Sequence, residues 1–259
     1  MIISTLKGKP TVANALTLSP AFNPRLFAEA GALRVERAAF DHVEVGAKLV
    51  IVGITPGAQQ RDLANAAHAH AIGHGRSNHD ANRTAKFAAS FGGAMRSNLV
   101  RMLDHVGASR SLGLATFAEA FDPALRGRVH FTSALRYPVF VNGANYNGQP
   151  DMLATPVLRS MVETLLVEEA RALPGAIWQP LGDKPLAALN HLVSLGVLKA
   201  SQIAPPLPHP SGANAERIAF FLGTKKAADL SAKTNPAKLE GQRRGLCAFY
   251  GAGTSGEHG

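Results

Sequence analysis

The feature that most constrains the fold is Lys48–Asp62, where an apolar run breaks into a turn. Leu49–Val52 is continuously apolar, which predicts a strand buried on both faces. Gly53, Pro56 and Gly57 follow and predict a tight, rigid turn with exposed backbone N–H groups. In open α/β sheets, turns at the ends of such strands hold ligands. An ordinary strand-to-helix connection is the alternative, because glycine and proline are common in all turns.

Composition bounds the domain organisation and the location of the chain. With 259 residues, 46% of them hydrophobic, the chain can bury a substantial core, which favours one domain with insertions. It lacks the roughly 18 uninterrupted apolar residues of a membrane span and the apolar region of a secretory signal. We therefore expect a soluble, cytoplasmic protein with no membrane partner. The single cysteine, Cys247, excludes an internal disulfide, a four-cysteine iron–sulfur cluster and a multi-cysteine zinc site.

The charge of the chain indicates the class of partner. Lys and Arg total 27 against 18 acidic residues, which gives a formal net charge of +9 and an isoelectric point near 10.1. Such an excess favours a polyanion, and nucleic acid above all. General solubility or attraction to an acidic membrane surface are the alternatives.

In the first half of the chain, apolar spacing and proline content predict four segments. Residues 1–36 are expected to form an N-terminal arm and a lead-in helix, which begins at Asn23-Pro24 and continues to Val35. Ala58–Arg83 is expected to be a loop or short-helix insertion. The spacing over Phe87–Val106 predicts a helix with one apolar face, and Phe117–Leu125 a shorter one.

In the second half, strands and helices alternate. Val129–Leu135 and Ala176–Leu181 are predicted strands, Leu153–Leu173 is a predicted helix, and Pro185 is expected at the first position of the next helix. This alternation favours an α/β fold, a three-layer α/β/α sandwich around a mainly parallel central sheet. We expect the main domain to span residues 37–223. Residues 224–259 are expected to be a basic extension with a disordered end, either solvated or touching DNA.

Several polar groups are candidates for a site. The histidines at 68, 70, 74 and 79 invite a metal interpretation, but they lack a helical pair placed with a carboxylate, and an exposed histidine-rich loop is the alternative. Asn142, Asn145 and Asn147 follow the strand at 129–135, where they could read a ligand or only shape the turn. His209 stands among Pro205, Pro206, Pro208 and Pro210, which restrict its backbone.

Two short motifs resemble the uracil-DNA glycosylase superfamily. The first is Gly53-Ile54-Thr55-Pro56-Gly57, and the second is His209-Pro210-Ser211. Two further segments, residues 81–84 and Phe131–Arg136, are similar to the iron–sulfur branches of that superfamily, above all its family five. Where that branch has a cluster cysteine after the strand, this chain has Tyr137. The resemblance spans about residues 49–223 and implies a uracil-DNA glycosylase-like fold without an iron–sulfur cluster.

The resemblance also implies roles for individual residues. His209 would donate to the carbonyl O2 of the departing base, and the backbone N–H groups of the 53–57 turn would support it. Phe91, or Phe87 as second candidate, would stack on the flipped base. Ser211 and Asn214 would shape their turn or contact a phosphate. The remaining substrate-binding candidates are Gly53, Ile54, Pro56, Gly57 and Ser133.

Thr55 stands at the place where many relatives carry the Asp, Asn or Glu that positions the attacking water. A threonine hydroxyl can orient water but cannot act as a base at neutral pH. Asp62 and Asp80 are the acidic candidates in the insertion, and a solvated surface position is the alternative for both.

The sequence therefore predicts a monofunctional, cofactor-free and metal-free DNA glycosylase that removes uracil or another deaminated base from single- or double-stranded DNA in base excision repair. Thr55 supports one alternative, a non-catalytic nucleic-acid-binding protein of the same fold. The histidine-rich insertion supports another, a metal-dependent hydrolase. The preferred base and the oligomeric state stay open.

Overall fold

The structure, a computed structural model, describes residues 26–122 and 124–251. The predicted arm over residues 1–25, with the Asn23-Pro24 start, lies outside these residues. The lead-in helix expected up to Val35 is wrong: Leu26–Ala30 (β1) and Leu33–Glu36 (β2) form an antiparallel hairpin that turns at Gly31, where φ is +59°. Burial in the hairpin follows the alternation of a strand, with Ala28 buried on β1 and Leu33 and Val35 buried on β2.

The hairpin belongs to an antiparallel sheet. Within the described residues its strand order is β1-β2-β5-β6, where β5 is Val139–Val141 and β6 is Ala144–Asn145. Leu33 lies opposite Val141 in the register of β2 and β5. The partner that decides the conformation of residues 33–36 therefore lies far along the chain.

A parallel sheet carries the predicted strands. Leu49–Gly53 (β3) lies between Val129–Ser133 (β4) and Ile177–Pro180 (β7), parallel to both. These bounds lie within two residues of those predicted from the sequence. The chain is a mixed α/β protein, and one of its sheets is parallel. Beyond β7, isolated parallel bridges join Trp178 to Ile203 and Leu181 to Leu207. They place the segment leading to His209 beside the end of the sheet.

The side chains of β3 are buried on both faces, as its apolar run predicts. Val50 and Val52 belong to one hydrophobic cluster, together with residues such as Leu158 and Leu189. Leu49 and Ile51 belong to a second cluster. The second cluster includes Leu99, Leu103, Phe221 and Leu246.

The described helices follow in chain order. They are α1 (Ala58–Gly73), α2 (Asn78–Ala89), α3 (Gly93–His105), α4 (Ala108–Ser111), α5 (Pro156–Met161), α6 (Val167–Ala172), α7 (Asp183–Ser194), α8 (Ala215–Phe221) and α9 (Pro236–Phe249). A π-helical turn, Val162–Leu166, joins α5 to α6, and 3₁₀ turns occupy Phe117–Phe121, Arg126–Arg128, Ala200–Gln202, Gly212–Asn214 and Ala227–Asp229. None of the described helices is long and apolar enough to span a membrane.

Some helix predictions need correction. The segment expected to be a loop or short-helix insertion, Ala58–Arg83, forms the long helix α1 and the first half of α2, and the two helices pack as a helical hairpin. The helix predicted over Phe87–Val106 is interrupted, because α2 ends at Ala89 and α3 begins at Gly93. Pro185 is the third residue of α7, rather than its first.

The basic segment after residue 223 contributes to the core. Leu246 of α9 is fully buried in the cluster that contains Leu49 and Ile51. The Tyr250 hydroxyl donates a hydrogen bond to Gln179 Oε1 on β7 at 2.9 Å. A purely solvated tail is therefore wrong for this part of the segment. The end that was expected to be disordered, residues 252–259, lies outside the described residues.

Candidate functional site

A cavity of about 590 Å³ opens at the carboxyl ends of β3 and β4, beside the segment that follows residue 207. Its lining contains the ten residues that the sequence analysis placed first as catalytic or substrate-binding. These residues are Gly53, Ile54, Thr55, Pro56, Gly57, Phe91, Ser133, His209, Ser211 and Asn214. The two motifs, although far apart in sequence, are thus walls of one cavity.

The first wall is the turn between β3 and α1. The carbonyls of Gly53 and Ile54 accept hydrogen bonds from the backbone of residues 134 and 135, which fixes the turn against the end of β4. The N–H of Gly57 donates to Gln60 Oε1 at 3.1 Å, and the next N–H, of Ala58, donates to Asn145 Oδ1 at 3.0 Å. These two donors are already used within the protein. The expected role of the N–H groups of the 53–57 turn toward a ligand therefore does not extend to Gly57.

Thr55 lines the cavity, but its hydroxyl is bound to the backbone. Oγ1 donates to the Tyr137 carbonyl at 3.0 Å and accepts from the Val139 N–H at 3.2 Å. A hydroxyl has one hydrogen to donate, so its donor is committed to this pair. The side chain fastens the start of β5 to the turn, which leaves one lone pair for the water-positioning role that the sequence suggested.

The second wall carries His209. The N–H of Ser211 donates to His209 Nδ1 at 3.3 Å, so in the neutral ring the proton lies on Nε2. Burial lowers the pKa of His209, which keeps the ring neutral at pH 7. The turn is held from behind, because Asn98 Nδ2 donates to the Pro210 carbonyl at 3.0 Å. The site therefore offers a fixed, neutral N–H donor.

Ser211 and Asn214 shape this wall. Asn214 Nδ2 donates to Ser211 Oγ at 3.3 Å, and Arg217 Nη1 donates to Asn214 Oδ1 at 3.1 Å. Two roles were predicted for Ser211 and Asn214, to shape their turn or to contact a phosphate. These hydrogen bonds support the first of them. Arg217, which the sequence analysis did not select, also lines the cavity and brings a positive charge to its rim.

The aromatic wall contains a strained residue. Phe91 has φ +50°, a left-handed conformation that is unusual for a residue other than glycine. Its ring packs edge-on against Phe131 at a centroid distance of 5.7 Å. Arg96 Nε donates to the Phe91 carbonyl at 2.7 Å, which helps to hold the turn between α2 and α3. Backbone strain of this kind is concentrated at functional sites.

The second aromatic candidate, Phe87, does not line this cavity. It borders a much smaller one of about 20 Å³ and packs against Phe121 with ring centroids 6.4 Å apart. The cavity wall is therefore made by Phe91, and Phe87 lies outside it.

The floor contains charged residues that the sequence analysis missed. Lys86 and Arg136 both line the cavity and pair with Glu169, with Lys86 Nζ to Oε1 at 3.5 Å and Arg136 Nε to Oε1 at 2.8 Å. His130 Nε2 lies 3.1 Å from Glu169 Oε2. These groups are separated along the chain and belong to different elements, so no local pattern could reveal them.

Burial and ion pairing oppose each other in this cluster. Burial alone would raise the pKa of Glu169, but Lys86, His130 and Arg136 hold the pKa well below its usual value. Burial, reinforced by Lys86, lowers the pKa of His130 to about 4. Burial also lowers the pKa of Lys86. The carboxylate is ionised at neutral pH and the imidazole is neutral.

The other candidates divide between the rim and the surface. Asn145 and Asn147 line the cavity, whereas Asn142 does not and adopts φ +49° in the turn between β5 and β6. Asp62 and Asp80 are exposed on α1 and α2, and among the described lining residues there is no Asp or Glu. Among the described residues, no group of three or more His, Cys, Asp or Glu side chains could hold a metal, and this includes the histidines at 68, 70, 74 and 79.

Comparison with known proteins places the chain in a family. A protein of Bacillus subtilis (strain 168), described as the uncharacterized protein YoxB, is 34% identical over 182 residues. The match spans 70% of this chain and 71% of that protein. The chain therefore belongs to the family of YoxB. No protein-family model matches the sequence, and no solved structure matches it.

Proposed function

We propose that this member of the YoxB family is a DNA glycosylase. It hydrolyses the N-glycosidic bond of uracil or another deaminated base after the nucleotide has been flipped out of the helix. The observation that carries the proposal is the convergence of both resembling motifs, with Phe91 and Ser133, on one cavity. In this role the protein acts in base excision repair in the cytoplasm, without a metal or other cofactor.

We propose further that the α/β fold is a three-layer α/β/α sandwich of the uracil-DNA glycosylase type. The support is the burial of β3 on both faces. Val50 and Val52 pack with side chains of α5 and α7, whereas Leu49 and Ile51 pack with side chains of α3, α8 and α9. Helices on both faces of a parallel sheet are the arrangement that covers such a strand.

The cavity suits a flipped base. Its volume of about 590 Å³ is typical of small-molecule sites and larger than one base needs. Phe91 would offer its ring for stacking, in a backbone conformation held by Arg96. Ser133, beside the turn, presents a hydroxyl that can donate or accept, so it could pair with either edge of uracil or hypoxanthine.

His209 would supply one preorganised catalytic donor. As the glycosidic bond breaks, the sugar becomes oxocarbenium-like and negative charge collects on the departing base. The Nε2–H of a neutral His209 can donate to the base carbonyl where that charge grows. Loss of one such preorganised donor costs about 3 kcal/mol of transition-state stabilisation, or a factor of about 10² to 10³ in rate.

The structure also offers support for a second candidate function, nucleic-acid binding without catalysis. The described lining has no carboxylate to act as a base, and the Thr55 hydroxyl is committed to Tyr137 and Val139. A protein with this cavity could bind nucleic acid without releasing a base. The two functions differ in a single observable, since both predict salt-sensitive DNA binding and only the first predicts base release.

The test is a panel of oligonucleotides that contain uracil, hypoxanthine or xanthine, in single- and double-stranded form. Abasic sites are cleaved with alkali after incubation and resolved by gel. We expect strand breaks with at least one base, and their loss in His209→Ala. His105→Ala is the control, because His105 is an exposed histidine on α3 that does not line the cavity. Absence of breaks on every substrate would leave the binding function.

A further inference from the structure

A second cavity, of about 370 Å³, adjoins the first on the side of His209. Three residues, His209, Asn214 and Arg217, line both cavities, so the two form a continuous depression. Its far wall comes from residues 233–242, where α9 begins. The sequence analysis left two alternatives for the basic segment after residue 223, a solvated tail or a contact with DNA. Part of that segment forms one side of this groove.

The groove carries an excess of positive charge. Arg217, Lys233 and Lys238 line it, and Asp183 is the one acidic residue in its described lining. Lys238 Nζ lies 2.6 Å from Asp183 Oδ2, but the two side chains are 52% and 63% exposed. An exposed pair of this kind contributes little stability, so Lys238 is free to exchange Asp183 for another anion.

The backbone that presents Lys233 is fixed in place. Glu216 on α8 accepts hydrogen bonds from the Ser231 N–H at 3.1 Å and from Lys225 Nζ at 2.9 Å. Arg217 Nη2 donates to the Lys233 carbonyl at 3.3 Å, which joins the two cationic residues directly. The groove therefore exists before a ligand arrives, which lowers the entropy cost of binding a charged chain.

From this arrangement we infer that the groove binds the phosphodiester backbone of a DNA strand on one side of the nucleotide held in the first cavity. The inference rests on the proposed function, since it takes the first cavity to be the base site. The substrate is then a polynucleotide that continues past His209 and not a free nucleoside. Lys233 and Lys238 contact phosphates through their charge alone, so they contribute affinity without sequence preference.

The experiment measures binding of the full chain to an unmodified, fluorescein-labelled single-stranded DNA 20-mer at several salt concentrations. Each phosphate contact on a single strand contributes about 0.7 to the slope of log affinity against log salt. The double variant Lys233→Gln/Lys238→Gln should therefore bind more weakly, with a slope smaller in magnitude by about 1.4. The control, Lys199→Gln/Lys226→Gln, removes the same charge outside both cavities and should keep a slope close to that of the wild type.

Because the oligonucleotide contains no damaged base, the result does not depend on catalysis. If the slope of log affinity against log salt falls equally in both double variants, or falls in neither, the groove does not bind the DNA backbone. This conclusion would hold even if base release is found. Loss of slope with an RNA 20-mer but not with DNA overturns the assignment to a DNA strand. If millimolar inorganic phosphate displaces the DNA more than chloride of equal ionic strength does, the groove is a site for a single anion. That result overturns the assignment to a polynucleotide.

Discussion

The left-handed backbone at Phe91 predicts an inverted order of stability for two variants. Phe91→Ala and Phe91→Gly both remove a ring that is 8% exposed, which costs about 3–5 kcal/mol of unfolding free energy. They differ in the backbone. At φ +50° alanine keeps a strain of about 1–2 kcal/mol that glycine does not have.

Glycine also has a cost, because it loses about 0.5–1 kcal/mol more chain entropy on folding than alanine does. The difference between the two effects leaves Phe91→Gly more stable than Phe91→Ala by roughly 0.5–1 kcal/mol. At an ordinary position the glycine variant is the weaker one.

Phe131 is the matched control. It lies on β4 next to Phe91, is 6% exposed and has an ordinary strand conformation. There Phe131→Gly should be less stable than Phe131→Ala by about 0.5–1 kcal/mol.

Urea denaturation of the four variants, followed by circular dichroism, gives the free energies and the slopes with denaturant. The reasoning is refuted if alanine is at least as stable as glycine at position 91 while the slopes agree. It is also refuted if both positions show the same order.

Three further predictions concern stability. Thr55→Val should lose about 1–3 kcal/mol in urea denaturation, because it leaves the backbone groups bound by the hydroxyl unpaired, whereas Thr55→Ser should keep most of that stability. The pKa of His130 is about 4 in the folded protein and near 6.5 when unfolded, so protons bind the unfolded state preferentially between these values. Stability should therefore fall by about 3 kcal/mol from pH 6.5 to pH 4, and His130→Gln should remove that part of the pH dependence. Lys86→Met should cost about 3–5 kcal/mol, because it leaves the buried Glu169 short of one cation.

Each of these has a contrary outcome. Equal stability of Thr55→Val and the wild type would show that the two hydrogen bonds contribute nothing. A pH profile unchanged in His130→Gln would mean that another group causes the acid sensitivity. A loss below about 1 kcal/mol in Lys86→Met would place the lysine outside the buried ion cluster.

The central part of the fold was predictable because its signals are local. The apolar run Leu49–Val52 and the glycine and proline residues after it specify a buried strand and a turn without help from the rest of the chain. The restricted backbone around His209 is likewise visible in its prolines. The meeting of these two segments could be predicted only from the resemblance to the glycosylase superfamily, because no local pattern joins residue 57 to residue 209.

The wrong predictions concern segments whose secondary structure depends on contacts with distant parts of the chain. Residues 26–35 fit a helical spacing, yet Leu33 is buried by pairing with Val141 on β5. The alanine-rich α1 has few large apolar residues, so its long helix is not apparent from periodicity, and it packs mainly against α2.

Polar residues of the site were missed for the same reason. Lys86 and Arg136 resemble surface residues in a sequence, and only the fold brings both to Glu169. Arg96 lies within the helix predicted over Phe87–Val106, and the apolar spacing of that segment does not indicate that its side chain donates to the carbonyl of Phe91.

The most direct test of the glycosylase account is chromatographic detection of the free base itself, under single-turnover conditions, from DNA that contains uracil or another deaminated base. The account predicts that the wild-type protein releases the base and that His209→Ala releases it about 10² to 10³ times more slowly. Equal rates for the two proteins, or intact DNA after prolonged incubation with the wild type, would contradict it.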